Sequence, residues 1–271
     1  MGKILGVDGC PSGWTVVSTE KPPNVQEMRF SFQVFPTIKN LMTAIKDIDL
    51  LLIDIPIGML SGERNSGGKN EFFTRPCDIE ARKKLKWPRS SSIFNPPCRE
   101  ALYMEKYSAA NELNKKLLGK GLSKQSWNIS DKIRELDRFL QKYPEKNEII
   151  KESHPEIVFW ALNGKKPMQY NKAKKKGKAE RMKVIENWSK RIGIRPIPNL
   201  NHIKKDLTDK GWDLATDDIF DAWILAIASY LIHTNPKNMR TVHPNSEIKA
   251  DKKGLPMRIV YASGQLYCKK K

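Results

Sequence analysis

The hydrophobic pattern changes period twice within the first 55 residues. Lys3–Gly9 (KILGVDG) is a short apolar run, and Gly13–Ser18 (GWTVVS) follows a turn built on Pro11 and Gly13. Met28–Phe35 alternates loosely between Pro22-Pro23 and Pro36. Short links between strand-like runs predict three strands in an antiparallel meander. Thr37–Asp47 switches to helical spacing, with Ile38, Leu41, Met42 and Ile45 on one face. Leu50–Ile55 (LLLIDI) is an apolar run that Pro56 ends, and its lack of alternation is the pattern of a strand buried on both faces in mid-sheet. The predicted order is β-β-β-α-β.

Beyond Ile55 the pattern turns helical. Gly58–Gly68 is rich in Gly, Ser and Asn and reads as a loop. Helices are expected over Cys77–Lys86, Cys98–Leu118 and Ser130–Lys142, the last with Ile133, Leu136, Phe139 and Leu140 on one side. Glu148–Glu152 reads as a fifth strand and Pro155–Leu162 as a short helix after it. Val184–Ile192 and the very apolar Asp217–Ile232 read as helices, and Arg258–Ala262 as an edge strand. No internal repeat or linker is visible. The expectation is a single α/β domain over residues 1–271, with a helical insertion at about 58–146.

The charge balance adds a partner class. Lys and Arg number 49 and Asp and Glu 30, a formal net charge of +19. Such a surplus repels itself in a compact chain, and a polyanion would relieve it, so nucleic acid is the leading candidate. The longest apolar run, within Ala222–Ile232, is far short of the ~20 residues that span a bilayer. Asp8 falls where a secretory signal would still be apolar, so a cytoplasmic protein is expected. Cys10, Cys77, Cys98 and Cys268 form no CxxC pair and read as reduced thiols rather than zinc ligands or a disulfide framework.

Four acidic residues resist a purely structural reading to different degrees. Asp8 lies at the end of the first strand, where an Asp-Gly turn would also explain it. Asp54 closes the buried strand and could cap the following loop. Asp217 and Asp218 could serve a helix N-terminus. Asp221 is different, because Ala222-Trp223-Ile224-Leu225-Ala226-Ile227-Ala228 follows it and predicts burial on most sides. An unpaired carboxylate there costs several kcal/mol. Either a Lys or Arg partner, or a divalent cation shared with Asp8 and Asp54, would meet that cost.

Seven short segments carry a family resemblance. They are GVDGCPSGW (Gly6–Trp14), IDIPIG (Ile53–Gly58), RPCDIEAR (Arg75–Arg82), SSIFNPPCR (Ser91–Arg99), GLSKQSW (Gly121–Trp127), ESHPEIVFWALNG (Glu152–Gly164) and DDIFDAW (Asp217–Trp223). Together with the element order they resemble the predicted RNase H-like nuclease family catalogued as domain of unknown function 429. The resemblance implies a ribonuclease H-like fold: an α/β mixed sheet of three antiparallel and then parallel strands, with flanking helices and helical insertions. It implies that Asp8 takes the place of the first-strand aspartate that bridges two metal ions and that Asp54 matches the fourth-strand acid, which in many such enzymes is Glu. Asp218 and Asp221 match the DxxD of the C-terminal helix, and Glu152 is a further possible ligand. The implied activity is phosphodiester hydrolysis by two Mg²⁺ or Mn²⁺ ions, about 3.5–4 Å apart, clamping the scissile phosphate. Carboxylates suit these hard cations, which leaves the cysteines as bystanders.

The basic and polar segments complete the expectation. Gly164–Lys183 holds nine Lys/Arg against one Glu. It reads either as a solvated charge run or as a mobile arm over a phosphate backbone, with Lys174 and Lys175 as contacts and Tyr170 to stack on a base. Arg75, Arg82, Arg89 and Arg99 are expected to form a substrate clamp, since Arg binds phosphate bidentately. Asp78 reads as a helix cap, and His154 first as a hydrogen-bonded residue and second as a general base. The alternative to a nuclease is a non-catalytic nucleic-acid-binding protein on the same fold. A resemblance of Asp8–Gly13 to the phosphate loop of actin-like sugar kinases lacks the second GVDG copy that such enzymes need.

Overall fold

The computed structural model describes residues 2–20, 28–62, 74–243 and 250–265. Strands β1 (Lys3–Cys10), β2 (Gly13–Glu20) and β3 (Arg29–Phe35) form the expected antiparallel meander. The β1–β2 link is the two-residue turn Pro11-Ser12, since Cys10 pairs with Gly13. Helix α1 (Ile38–Ala44) is capped by the Thr37 hydroxyl, which accepts from the Asn40 N–H, and it buries Ile38 and Leu41. It supplies the crossover that a parallel return requires, and β4 (Ile48–Ile53) pairs parallel with β1.

Five helices follow: α2 (Pro76–Leu85), α3 (Arg99–Leu102), α4 (Tyr107–Leu118), α5 (Lys124–Asn128) and α6 (Ser130–Lys142). Strand β5 (Ile150–Glu152) then pairs parallel with β4, completing a sheet of order β3-β2-β1-β4-β5. Helices α7 (Pro155–Leu162), α8 (Lys175–Arg191), α9 (Leu200–Asp209) and α10 (Thr216–Thr234) come next, and β6 (Met239–Thr241) and β7 (Val260–Ala262) make a separate two-stranded sheet. The architecture is a mixed α/β sheet with flanking helices.

The chain forms two compact units. The first comprises residues 1–54, 148–240 and 260–271, and the second 55–147 and 241–259. The helical insertion expected at about 58–146 corresponds to the first part of the second unit, whereas its return segment near the C-terminus left no sequence signal.

In the first unit α10 lies on β1, with every residue from Ile219 to Ser229 buried. Gly6 makes that approach possible: a Cβ there would fall 2.1 Å from the Ala222 carbonyl oxygen and from the Ala226 nitrogen. Both are helix backbone and cannot swing aside. Ser229 pins the same contact by donating to the Leu5 carbonyl at 2.8 Å. Gly6→Ala is therefore expected to destabilise the protein by about 1–3 kcal/mol, as overpacking does, read as a lower urea midpoint with unchanged slope.

The second unit packs α3, α4 and the segment before α5 around Cys98, Ala101, Ala110, Leu118 and Leu122. The single helix expected over Cys98–Leu118 is two helices. The break lets Ala101 and the Ala110–Leu118 face enter one cluster from different directions. Val184–Ile192 is only the end of α8, whose buried face also includes Gly177 and Arg181. Those two residue types hid the helical period from a hydrophobicity reading. Helix α9 was not foreseen, although Asn199 caps it by accepting from the Asn201 and His202 N–H groups, and Ile203 and Leu207 form its buried stripe.

Candidate functional site

Strand register places the first two acids together. Val7 pairs with Ile53, and the Asp54 N–H continues the ladder to the Val7 carbonyl at 2.9 Å. Side chains alternate along a strand, so Asp8 and Asp54 follow that pair onto one face. It is the face on which Gly6 meets α10. Asp8 is buried, and its Oδ1 accepts from the Gly9 N–H at 2.8 Å, but β1 runs on to Cys10, so the Asp-Gly turn does not form. Helix α10 brings Asp218 and Asp221, three residues apart and on one side of the helix. Asp218 closes the helix N-terminus by accepting from the Ala215 N–H at 2.7 Å.

Electrostatics tie these four carboxyls to one another. Burial raises the Asp8 pKa well above its ordinary value, and the charges of Asp54, Asp221 and Asp218 push it further. Burial lifts Asp54 to about 6, against the pull of His154 and with a push from Asp221. Asp218 also reaches about 6, chiefly through burial and despite its bond to Ala215. Asp221 is raised by burial, opposed mainly by Lys172.

Lys172 is the residue that sequence reasoning missed. Its Nζ lies 2.7 Å from Asp221 Oδ2 and 3.3 Å from Asp217 Oδ2, and the Asp221 charge holds its ammonium strongly protonated. Lys172 is thus a basic partner of the kind left open for Asp221. The segment carrying it is firmly held. Glu180 accepts from the Gln169 and Tyr170 N–H groups at 2.8 and 3.1 Å, and Arg181 Nη1 donates to the Tyr170 carbonyl at 3.2 Å. The absent side chain of Gly177 admits the Asn171 backbone, whose carbonyl oxygen would lie 2.0 Å from a Cβ. This corrects the mobile arm expected over Gly164–Lys183: its second half is α8 and its middle is tied to α8. Lys174 and Lys175 stand exposed at the start of that helix.

Glu152 does not join the acids. Its register partner is Ile53, so it leaves the sheet on the face opposite Asp54. Glu156, at the start of α7, takes that place electrostatically and raises both Asp54 and Asp221. It is buried and paired with the fully buried Arg181. His154 caps α7, its Nδ1 accepting from the Glu156 N–H at 3.2 Å, so its first expected role is the one it plays.

These shifts make a pH prediction. Asp54 and Asp218 titrate near 6 in the folded chain against an ordinary value of 3.8. Between those values the folded state holds more protons than the unfolded state, so stability falls as pH rises through that window. In chelator, Asp54→Asn is expected to be about 2–3 kcal/mol more stable than wild type at pH 7.5, converging with it near pH 4. Urea melts at the two pH values read this directly.

A family described as a protein of unknown function, DUF429, matches residues 6–245. The chain belongs to the DUF429 family. No curated protein and no solved structure matches it significantly.

In this DUF429 chain the four arginines expected as a substrate clamp have separate fates. Arg75 is buried, bound to Asp78 at 2.7 Å and to the Ile57 and Gly58 carbonyls at 3.1 Å. Asp78 is thus an ion-pair partner more than a cap. Arg99 joins Asp137 at 2.8 Å and also Asp251. Both guanidinium groups are consumed inside the second unit, which removes them from a clamp. Arg89 is half-buried at a short helical turn, Arg89–Ser92. Arg82 is half-buried and donates to the Ile93 carbonyl at 2.8 Å and to Asn95. Cys10, Cys77 and Cys98 are buried; Cys268 lies outside the described residues. No helix among the described residues is long and apolar enough to cross a membrane.

Proposed function

We propose that this DUF429 protein is a metal-dependent nuclease on a ribonuclease H-like fold, hydrolysing phosphodiester bonds of nucleic acid. The sheet order, with parallel strands following an antiparallel meander, and acids on β1, after β4 and on α10, support the fold reading. One observation carries the function: Asp54, Asp218 and Asp221 come close enough to Asp8 to raise its proton affinity, and Asp221 also raises that of Asp54 and of Asp218. A fold that bore these acids only for structure would gain by losing them.

The residues fit divalent cations. All four donors are hard carboxylate oxygens, which suit Mg²⁺ or Mn²⁺. Asp221 Oδ1 is buried without a hydrogen-bond partner among the described residues, so one donor is already desolvated and unspent. Asp8, Asp54, Asp218 and Asp221 would hold the ions. Bound there, such ions would polarise a phosphoryl oxygen and lower the pKa of an attacking water. Asp8, repelled by the other three acids, is the natural shared ligand. Asp218 stays fixed by its bond to the Ala215 N–H, and Lys172 offers an ammonium beside the carboxylates, where a phosphate oxygen would sit. The surplus of +19 would draw in a polyanion.

The Lys172–Asp221 pair favours a second reading, since it supplies positive charge to the cluster without any metal. On that reading the protein binds nucleic acid and does not cut it. Labelled single- and double-stranded DNA, RNA, an RNA–DNA hybrid and a four-way junction, each with Mn²⁺ or Mg²⁺, separate the two. Cleavage by wild type and none by Asp8→Asn supports the nuclease. Binding without cleavage by either supports the alternative.

A further inference from the structure

The second unit encloses a cavity of about 250 Å³ that the proposed nuclease chemistry does not use. Its wall comes from three of the seven family-like segments, Arg75–Arg82, Ser91–Arg99 and Gly121–Trp127, joined by Leu60, Thr74, Asn114, Leu118 and Lys120. Three of the lining residues are cationic, Arg75, Arg82 and Lys120, and none is Asp or Glu. Arg75 is neutralised by Asp78, but Arg82 forms no ion pair with the described residues.

Half-buried Arg82 stands apart from the buried arginines in this respect. Arg75, Arg99 and Arg181 each form an ion pair with a carboxylate. Arg82 is fixed only by neutral acceptors, the Ile93 carbonyl and the Asn95 side chain, and among the described residues no carboxylate lies within ion-pair distance of it. Burial pulls its proton affinity down, with Asp78 only partly opposing. Its Nη1 makes no hydrogen bond to the described residues, nor do the Lys120 ammonium and the Gln125 amide. A guanidinium held rigidly at a cavity wall, half-desolvated and without a counter-ion, is a binding group that lacks its anion. Leu60, Phe94 and Leu118 supply an apolar surface in the same cavity.

We propose that this cavity binds a small phosphate monoester, the phosphate between Arg82 and Lys120 and the organic part against Leu60, Phe94 and Leu118. Two cations and a neutral amide donor exceed what the two oxygens of a carboxylate need, and match a phosphate with three terminal oxygens. The volume holds roughly eight waters at about 30 Å³ each, which suits a sugar phosphate and is below the usual drug-sized pocket. The site does not depend on the nuclease reading.

Calorimetric titration of the full chain, in phosphate-free buffer with chelator, tests the proposal with inorganic phosphate, ribose 5-phosphate and ribose. The expected result is saturable binding of both phosphates, tighter for ribose 5-phosphate, and none of ribose. Lys120→Glu alters an exposed side chain and is expected to weaken binding by about tenfold or more with the melting temperature unchanged. Arg82→Gln is expected to weaken binding by a similar factor; should it fail to fold, Lys120→Glu decides alone. Asp8→Asn, in the other unit, is expected to bind like wild type. Absence of saturable binding at millimolar ligand would overturn the proposal. So would affinity that survives Lys120→Glu, or that is lost in Asp8→Asn, or ribose 5-phosphate binding no tighter than inorganic phosphate.

Discussion

Asp8→Asn is expected to lower cleavage of the preferred substrate by roughly a thousandfold, about 4 kcal/mol of transition-state stabilisation. The same variant is expected to be more stable than wild type in chelator at neutral pH. Both effects have one cause. Asp8 is buried among Asp54, Asp221 and Asp218, each of which disfavours its negative charge. Without metal that repulsion works against the fold, and a neutral amide of the same shape removes it. With metal the repulsion becomes attraction for the cation, and the amide forfeits it. Mn²⁺ should therefore raise the melting temperature of wild type and leave Asp8→Asn unmoved. Activity lost together with stability would mean that Asp8 is a structural residue. Activity retained would dismiss the carboxylate cluster as the catalytic site.

Arg181→Met is expected to cost about 3–5 kcal/mol, the largest single stability loss among the charged residues of the first unit. Arg181 is fully buried, and its Nη2 meets Glu156 Oε1. The other carboxylate oxygen, Oε2, is buried without a hydrogen bond in the structure. Removing the guanidinium leaves a buried carboxylate with nothing to balance it. It also frees the Tyr170 carbonyl and with it the anchor of the segment that presents Lys172. The double variant Arg181→Met, Glu156→Gln should recover much of the loss, because the charge left behind is the greater part of the cost. Urea unfolding of the two single variants and the double variant measures the coupling. Additive losses would show that the pair is not an energetic unit.

Part of this protein was legible in its residues alone. The meander, the α1 crossover and the doubly buried β4 follow from periodicity, since a strand covered on both faces cannot alternate. Ser130–Lys142 and Pro155–Leu162 were bounded correctly because their apolar stripes are written in Ile, Leu and Phe and their ends in Ser and Pro. Asp221 could be singled out as costly from its neighbours, because six apolar residues and more follow it on a helix. What answers that cost could not be read. Lys172 lies 49 positions earlier in a run of lysines that look alike in sequence, and only the tie of residues 169–171 to α8 selects it. Glu152 was singled out in the sequence and Glu156 was not, and only register put Glu152 on the far face of the sheet. Arg75, Arg82 and Arg99 carry the same charge in neighbouring motifs, yet two are paired internally and one is left facing a cavity. Local periods determine which elements form, because burial acts on side chains a few positions apart. Charge pairing joins residues that only the finished packing brings within reach, so the partners of Asp221, Glu156 and Arg99 were decided by tertiary structure.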